Sequence, residues 1–343
     1  MRTFEAHSDT DAALWQRFTE SHSECDHYHR WGWKQVIENS FGWRTFYLMA
    51  EEESGITGIL PLVWQKSRLF GSFLISLPYL NGGGLVTETQ EAKDALVREA
   101  IALARKLGVD HLELRHRRDH NLGLPSKTNK LAVVNEVHSD EEKMWSSLGH
   151  KVRTDIRKAR KSELTAEFRG EEVLDDYYEV FAENMRNLGT PVYSRKFFLE
   201  MLRAFPSETF ICIVRYHGSP VAVSFLMGYR ETVEAGWSAS RYRYLSIKPN
   251  MFLYWKILCF AGERGFHLFD FGRSTIDSGT HRFKMQWGGK EIPLQWDYWV
   301  RNGGEFPQLN PQNPRYRLAI GIWQRMPVGL TKLMGPRIAR CLP

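Results

Sequence analysis

Twice along the 343 residues, short alternating runs of the kind that form strands are interleaved with helical stretches in a similar order. This constrains the fold more than any single motif, because helices that alternate with strands must bury their apolar stripes against a sheet. The first run reads as a helix at 31–39, strands at 43–50 and 56–65 around a Ser54-Gly55 turn, and a strand at 73–77. The loop Asn81-Gly82-Gly83-Gly84 then leads to a helix at 91–107 stopped by Gly108 and strands at 111–115 and 130–137. The second run reads as a helical stretch at 144–162 broken near Gly149, a strand at 164–169, and helices at 172–188 and 194–204. A meander follows at 210–216, 221–229 and 232–238, then a helix at 249–264 between Pro249 and Gly265. A strand at 267–271, a short helix at 280–287 and a strand at 292–300 close it. No residue-level repeat accompanies this order. The expectation is an α/β (α+β) chain of two tandem units with mixed sheets, 1–143 and 144–305, and a tail at 306–343. A length prior of roughly 100 to 200 residues per domain agrees.

Four widely spaced cysteines without a CxxC pair suggest neither a disulfide framework nor a zinc ribbon, so a reducing compartment is expected. The N-terminus carries acids and His where a secretory signal needs an apolar core, and no apolar run of membrane-spanning length occurs. A soluble, cytoplasmic chain is expected. The net charge of +6 is unevenly placed. From Phe306 to Pro343 there are six bases (Arg315, Arg317, Arg325, Lys332, Arg337, Arg340) and no acid, and Lys151–Lys161 holds six bases against Asp155. These are two local anion-contacting surfaces on an otherwise acidic body. The tail also contains Trp, Ile and Leu but is interrupted by Pro327 and Gly329, so it either touches an anionic inner leaflet or packs on the protein itself.

Chemistry concentrates in 267–289. Alternation puts Phe269 and Phe271 on one face of a strand and Asp270 on the other, at the strand's exit. Gly272 permits a sharp turn, after which Arg273 can meet an anionic ligand or form a surface ion pair. Ser278 or Thr280 caps a two-turn helix ended by Gly288-Gly289, with Phe283 and Trp287 anchoring one face and His281 and Lys284 sharing another. Lys284 can hold a carbonyl that becomes an oxyanion, or it is simply a solvated helix lysine. On 151–161, Arg153, Arg157 and Lys161 recur at i, i+4 opposite Val152, Ile156 and Ala159, which suits phosphate contact or a solvated linker helix. His22, Cys25, Asp26, His27 and His29 crowd together without the spacing of a closed metal site, so no metal is expected there.

Taken in order, Ile156–Lys161, Trp237-Ser238-Ala239-Ser240, Pro249–Trp255, Phe269-Asp270-Phe271-Gly272 and Phe283-Lys284 before Trp287-Gly288 resemble the Fem-type (FemAB-like) aminoacyltransferases. That family is built from two acetyltransferase-like (GNAT) domains and includes proteins associated with exosortase and PEP-CTERM systems. The resemblance spans nearly the whole chain and is strongest from about 145 to 300. It implies transfer of an acyl or aminoacyl group, carried by aminoacyl-tRNA, to an amine of a peptidoglycan or surface-polysaccharide precursor, the acceptor being nucleotide-linked or lipid-linked. It implies that Lys284 steadies the reacting carbonyl and that the acceptor amine need not have a protein base, leaving Asp270 and His281 as catalytic candidates. Arg273, Arg241, Arg243, Lys248, Arg153, Arg157 and Trp237 are the candidate substrate contacts. No tightly bound cofactor is implied. Acetyl-CoA is the weaker donor, because Arg241–Asn250 lacks the glycines that let backbone approach a pyrophosphate. An acetyl-CoA-dependent N-acyltransferase of an amino sugar, and a non-catalytic glycan-lipid binder, are the rival readings.

Overall fold

A computed structural model describes residues 1–67, 70–304 and 314–342 of the chain. In order these form β1 (Arg2–Glu5), α1 (Asp9–Ser21), α2 (Gly32–Phe41), β2 (Arg44–Glu52), β3 (Gly55–Ser67), β4 (Gly71–Ile75), β5 (Val86–Thr87), α3 (Gln90–Leu107), β6 (His111–His116) and β7 (Ser126–Glu136). There follow α4 (Glu141–Ser147), α5 (His150–Arg160), β8 (Leu164–Arg169), α6 (Leu174–Asn187), α7 (Arg195–Ala204), β9 (Thr209–Tyr216), β10 (Ser219–Tyr229) and β11 (Thr232–Ser240). The last are α8 (Pro249–Glu263), β12 (Leu268–Thr275), α9 (Gly279–Met285), β13 (Lys290–Val300), α10 (Pro314–Arg325) and α11 (Val328–Ala339).

Two units result. The first contains Met1–Lys130 and the strand residues from Pro293, and the second contains Leu131–Ile292 and the helices α10 and α11. The sequence put the borders at 143/144 and 305/306. The later border differs because β13 pairs antiparallel with β6, Gln295 opposite His116 through Val300 opposite His111, so the end of the second run completes the first sheet. The earlier one differs because the chain around the end of β7 buries Leu131, Val133 and Val137 in the core built on α8.

The first unit orders its strands β1-β2-β3-β4-β6-β13, with β5 on β3. The second orders them β7-β12-β11-β10-β9-β8. Each unit is antiparallel until a helix crosses over to a parallel strand: α3 takes β4 to β6, and α8 takes β11 to β12. α3 is amphipathic, and Ala92, Leu96, Ala100 and Ala104 lie against Phe46, Leu60, Leu74 and Leu112. It starts at the Thr89 hydroxyl, which accepts from Ala92 N–H at 3.1 Å, and ends at Gly108 in the left-handed region. α8 is instead apolar nearly all round, because α5 covers the side turned away from the sheet and contributes Val152, Ile156 and Ala159.

The N-terminal β1 and α1 had no counterpart in the sequence expectation. α1 is secured by a Ser8–Asp11 capping box and buries Trp15, Phe18 and Thr19 at helical spacing. The tail forms α10 and α11, separated near Pro327, while Gly329 lies inside α11. Residues 305–313 and 343, with the start of the tail among them, lie outside the described residues, as does the side chain of Arg315.

Candidate active site

β12 sets the site. Phe269 and Phe271 enter the core, where their rings meet Tyr254 at 6.2 and 5.2 Å. Asp270 consequently faces the other way, and the parallel register pairs it with Glu234 of β11. Both carboxylates are buried, Asp270 to 1% exposure and Glu234 to 5%. The expected turn at Gly272 is instead a kink within a strand that continues to Thr275. Gly272 has φ 72°, and its N–H donates to Asp270 Oδ1 at 2.7 Å. A residue with a Cβ would be strained there. Register pairing with β11 runs from Leu268 to Asp270, which leaves the carbonyls beyond it for another donor.

That donor is Lys284. Ser278 caps α9 by accepting from His281 N–H at 3.1 Å, and one and a half turns later Lys284 Nζ donates to Gly272 O at 2.8 Å and Arg273 O at 2.9 Å. Lys284 is 8% exposed, so it is not a solvated helix lysine. Burial pushes its ammonium down to about 8, with Arg273 adding to the depression and Asp270 and Glu234 opposing it. An ammonium has three N–H donors, and two are committed to carbonyls here. The third is left to meet an acceptor such as a substrate carbonyl.

His281 is buried on the same helix but is fully engaged. Its Nδ1 accepts from Asp277 N–H at 3.0 Å, which places the proton on Nε2, and Nε2 donates to Glu291 Oε1 at 2.8 Å. It pins α9 to the start of β13 with no ring nitrogen left for a substrate proton. Arg273 is exposed next to Lys284's carbonyl ligands.

The other expected contacts lie elsewhere in the second unit. Arg241 Nε is 3.3 Å from Glu183 and Lys248 Nζ is 3.2 Å from Asp155. Arg243 is exposed over the Tyr244 ring. Arg241 and Lys248 flank, and Arg243 lies within, the 3₁₀ turn Tyr242–Ile247 that leads into α8. Arg153 is half-buried on α5, and Arg157 and Arg160 sit 5.3 and 5.0 Å over the Trp145 ring, so the basic helix has an aromatic neighbour contributed by α4. Trp237 stands perpendicular to Phe197, Phe198 and Phe225, and its carbonyl accepts from the Tyr177 hydroxyl at 3.2 Å. Among the described residues no hydrogen bond or ion pair joins these groups to Lys284. Glu234 escaped the sequence reading, although one acid between Val233 and Ala235 in an apolar strand was a visible signal.

The first unit holds a second polar cluster that spacing could not reveal. Gly82–Gly84, Glu24, Asp26, His29 and His120 line a cavity of about 140 Å³. His29 lies 2.9 Å from Asp26 and bonds Gly84 O at 3.1 Å, which accounts for two of the clustered metal-ligand types. His116 Nδ1 donates to Asp297 Oδ2 at 2.9 Å, and its Nε2 accepts from Leu85 N–H at 3.2 Å. A Cβ on Gly84 would lie 2.1 Å from His116 Cδ2, so the loop is latched too tightly for any side chain there.

Comparison with known proteins agrees with this architecture. Residues 147–285 match the acetyltransferase (GNAT) domain family. No curated protein sequence matches. The crystal structure of FemX superposes with a TM-score of 0.68 at 14% identity, covering 93% of this chain and 100% of that one. A tandem GNAT protein from the clavulanic acid biosynthesis pathway gives 0.55 at 10% identity, covering 89% and 99%. The C-terminal domain of an Agrobacterium fabrum protein described as a lysylphosphatidylglycerol synthetase gives 0.56 at 13%, covering 86% and 93%. The chain therefore carries at 147–285 a segment that matches the acetyltransferase (GNAT) domain family, within a fold like that of FemX and of the tandem GNAT protein.

Proposed function

We propose that this chain transfers an aminoacyl group from aminoacyl-tRNA to an amine of a peptidoglycan or surface-polysaccharide precursor, with Lys284 holding the reacting carbonyl. The observation that carries the reading is the buried Lys284, fixed by two carbonyls with one N–H still to place. In the step, the acceptor nitrogen bonds to the donor carbonyl carbon and the ester to the tRNA breaks. The amine loses a proton and the departing ribose hydroxyl gains one. Charge develops on the carbonyl oxygen in between, and a donor preset in a dry site lowers that barrier. Asp270 and Glu234 keep the site anionic around the ammonium and so favour its charged form. Arg273 and the bases of α5 are suited to the phosphates of the tRNA or of a nucleotide-linked acceptor. The likeness to a lysylphosphatidylglycerol synthetase supports a lipid-linked acceptor as the other form.

Acetyl-CoA remains the second donor, because the matched domain family is an acetyltransferase one and the turn before α8 carries Arg243 and Lys248 at a helix N-terminus. Incubating the pure protein with charged tRNA, acetyl-CoA and amino-sugar or muropeptide acceptors, and weighing the products, decides between them. A product heavier by an aminoacyl residue is expected. An acetylated product alone supports the second donor, and no amide from either donor overturns the acyl-transfer reading.

A further inference from the structure

α10 and α11 leave large apolar side chains facing outward. Both lie against α6. α11 turns its small residues inward: Thr331, Gly335 and Ala339 are buried, and a Cβ on Gly335 would come within 3.0 Å of the Val192 backbone nitrogen. Its large apolar residues, Leu330, Leu333 and Met334, are 48%, 63% and 42% exposed. At 100° per residue these three and Arg337 fall within an arc of about 100°, opposite the buried face. α10 buries a large residue but also turns large apolar residues outward. Trp323 is buried, whereas Leu318 and Ile322 are 69% and 55% exposed, and with Arg325 they share an arc of about 60°. Half of the large apolar side chains exposed anywhere in the described residues are on these two helices, and a further one, Leu188, ends α6 beside them.

A helix such as α11, which buries threonine, glycine and alanine while presenting leucine and methionine outward, has its larger apolar face aimed at a medium other than water. Charge identifies the medium. Residues 306–343 contain six bases and no acid. The acids of the supporting helix are occupied: Glu179 by Lys332, Asp175 by Arg195, Asp176 by Arg215 and Glu183 by Arg241. Arg325 and Arg337 lie within or beside the apolar arcs, where long stems can lie along acyl chains while the guanidinium reaches headgroups. No helix among the described residues is long and apolar enough to cross a membrane, so the geometry is that of helices lying in an interface. We infer that α10 and α11 form a docking face for an anionic lipid bilayer.

The test is co-sedimentation of the full chain with vesicles of phosphatidylcholine alone and of phosphatidylcholine mixed with phosphatidylglycerol. The wild type sediments with the mixed vesicles and, much less, with neutral ones, and added salt weakens binding. The triple variant Leu330→Ser, Leu333→Ser, Met334→Ser keeps its far-ultraviolet circular dichroism and loses roughly 30- to 100-fold in partitioning. Arg317→Gln with Arg325→Gln loses about 5-fold per base, on mixed vesicles only. The inference is overturned if the wild type does not bind anionic vesicles, or if the triple variant binds as well as wild type. It is equally overturned if the wild type dimerises in solution and the triple variant abolishes the dimer, since a second copy then occupies the face.

Discussion

The two units each bury ionisable groups, but one cation of the second is held differently from the buried pairs of the first. In the first, two buried pairs join opposite partners. Arg115 Nε lies 2.6 Å from Glu113, and His116 lies 2.9 Å from Asp297. Burial would raise the Glu113 carboxyl, yet Arg115 beside it holds it below the usual range. In the second, Lys284 has no carboxylate within ion-pair distance among the described residues and rests on neutral carbonyls instead. A matched pair holds structure and resists change. An ammonium on carbonyls, with two carboxylates at longer range, is depressed but still charged near neutrality, and it keeps a donor in reserve. On the proposed function, the difference separates a latch from a working group.

The sharpest way to break that comparison is Lys284→Met. If the ammonium works on the carbonyl, acyl transfer falls by about 100- to 1000-fold in kcat, the range for removing one preset oxyanion donor. Circular dichroism and the unfolding midpoint should change little by comparison. Turnover close to wild type would make Lys284 another latch.

The latch of the first unit predicts a loss of stability instead. Gly84→Ala puts a methyl 2.1 Å from His116 Cδ2 and 2.7 Å from Arg115 O, which should cost about 2 to 4 kcal/mol in urea denaturation. His116→Ala removes the nearer obstacle but also leaves Asp297 and Leu85 N–H without that partner, so it destabilises by itself. The double variant should be less destabilised than the sum of the two, because they share one contact. Strict additivity would show that the loop and His116 are independent.

These contrasts explain what could be read from the sequence. Element order, the Gly108 stop, the Ser278 cap and the apolar side of α5 follow from local periodicity and capping, and the structure places them as expected. Asp270, Arg273 and Lys284 were legible as a neighbourhood because they lie within 15 residues on one strand-turn-helix. What Lys284 bonds to was not, since that depends on the positive φ of Gly272 inside a strand whose pattern suggested an end. His116 and Asp297 are 181 positions apart, and only the return of β13 to β6 joins them. His281 was misleading in the opposite way: shared helix face with Lys284 suggested chemistry, and two local bonds absorb it.

Per pH unit the effects on stability are smaller, and they assign each unit its own window. Burial and neighbouring His116 push the His120 imidazole down to about 3, and burial also depresses His116 despite Asp297. Between about 6.5 and 3 the unfolded chain therefore binds protons that the folded first unit does not, so stability is present above pH 6.5 and is lost on acidification. For Lys284 the folded value is about 8 against 10.5 in the free side chain. Over that interval the unfolded chain again holds the extra proton, so stability rises with pH from about 8 to 10.5. One proton of difference gives at most about 1.4 kcal/mol per pH unit. Urea denaturation across pH should show the acid-side slope shrinking in His120→Asn and the alkaline slope vanishing in Lys284→Met. If Lys284→Met keeps its alkaline slope, the ammonium is not the group whose burial sets it, and the working cation of the second unit must be sought elsewhere. Activity adds the sign that stability cannot. A cationic donor loses transfer rate as pH climbs through about 8, whereas a neutral amine acting as a base would gain it.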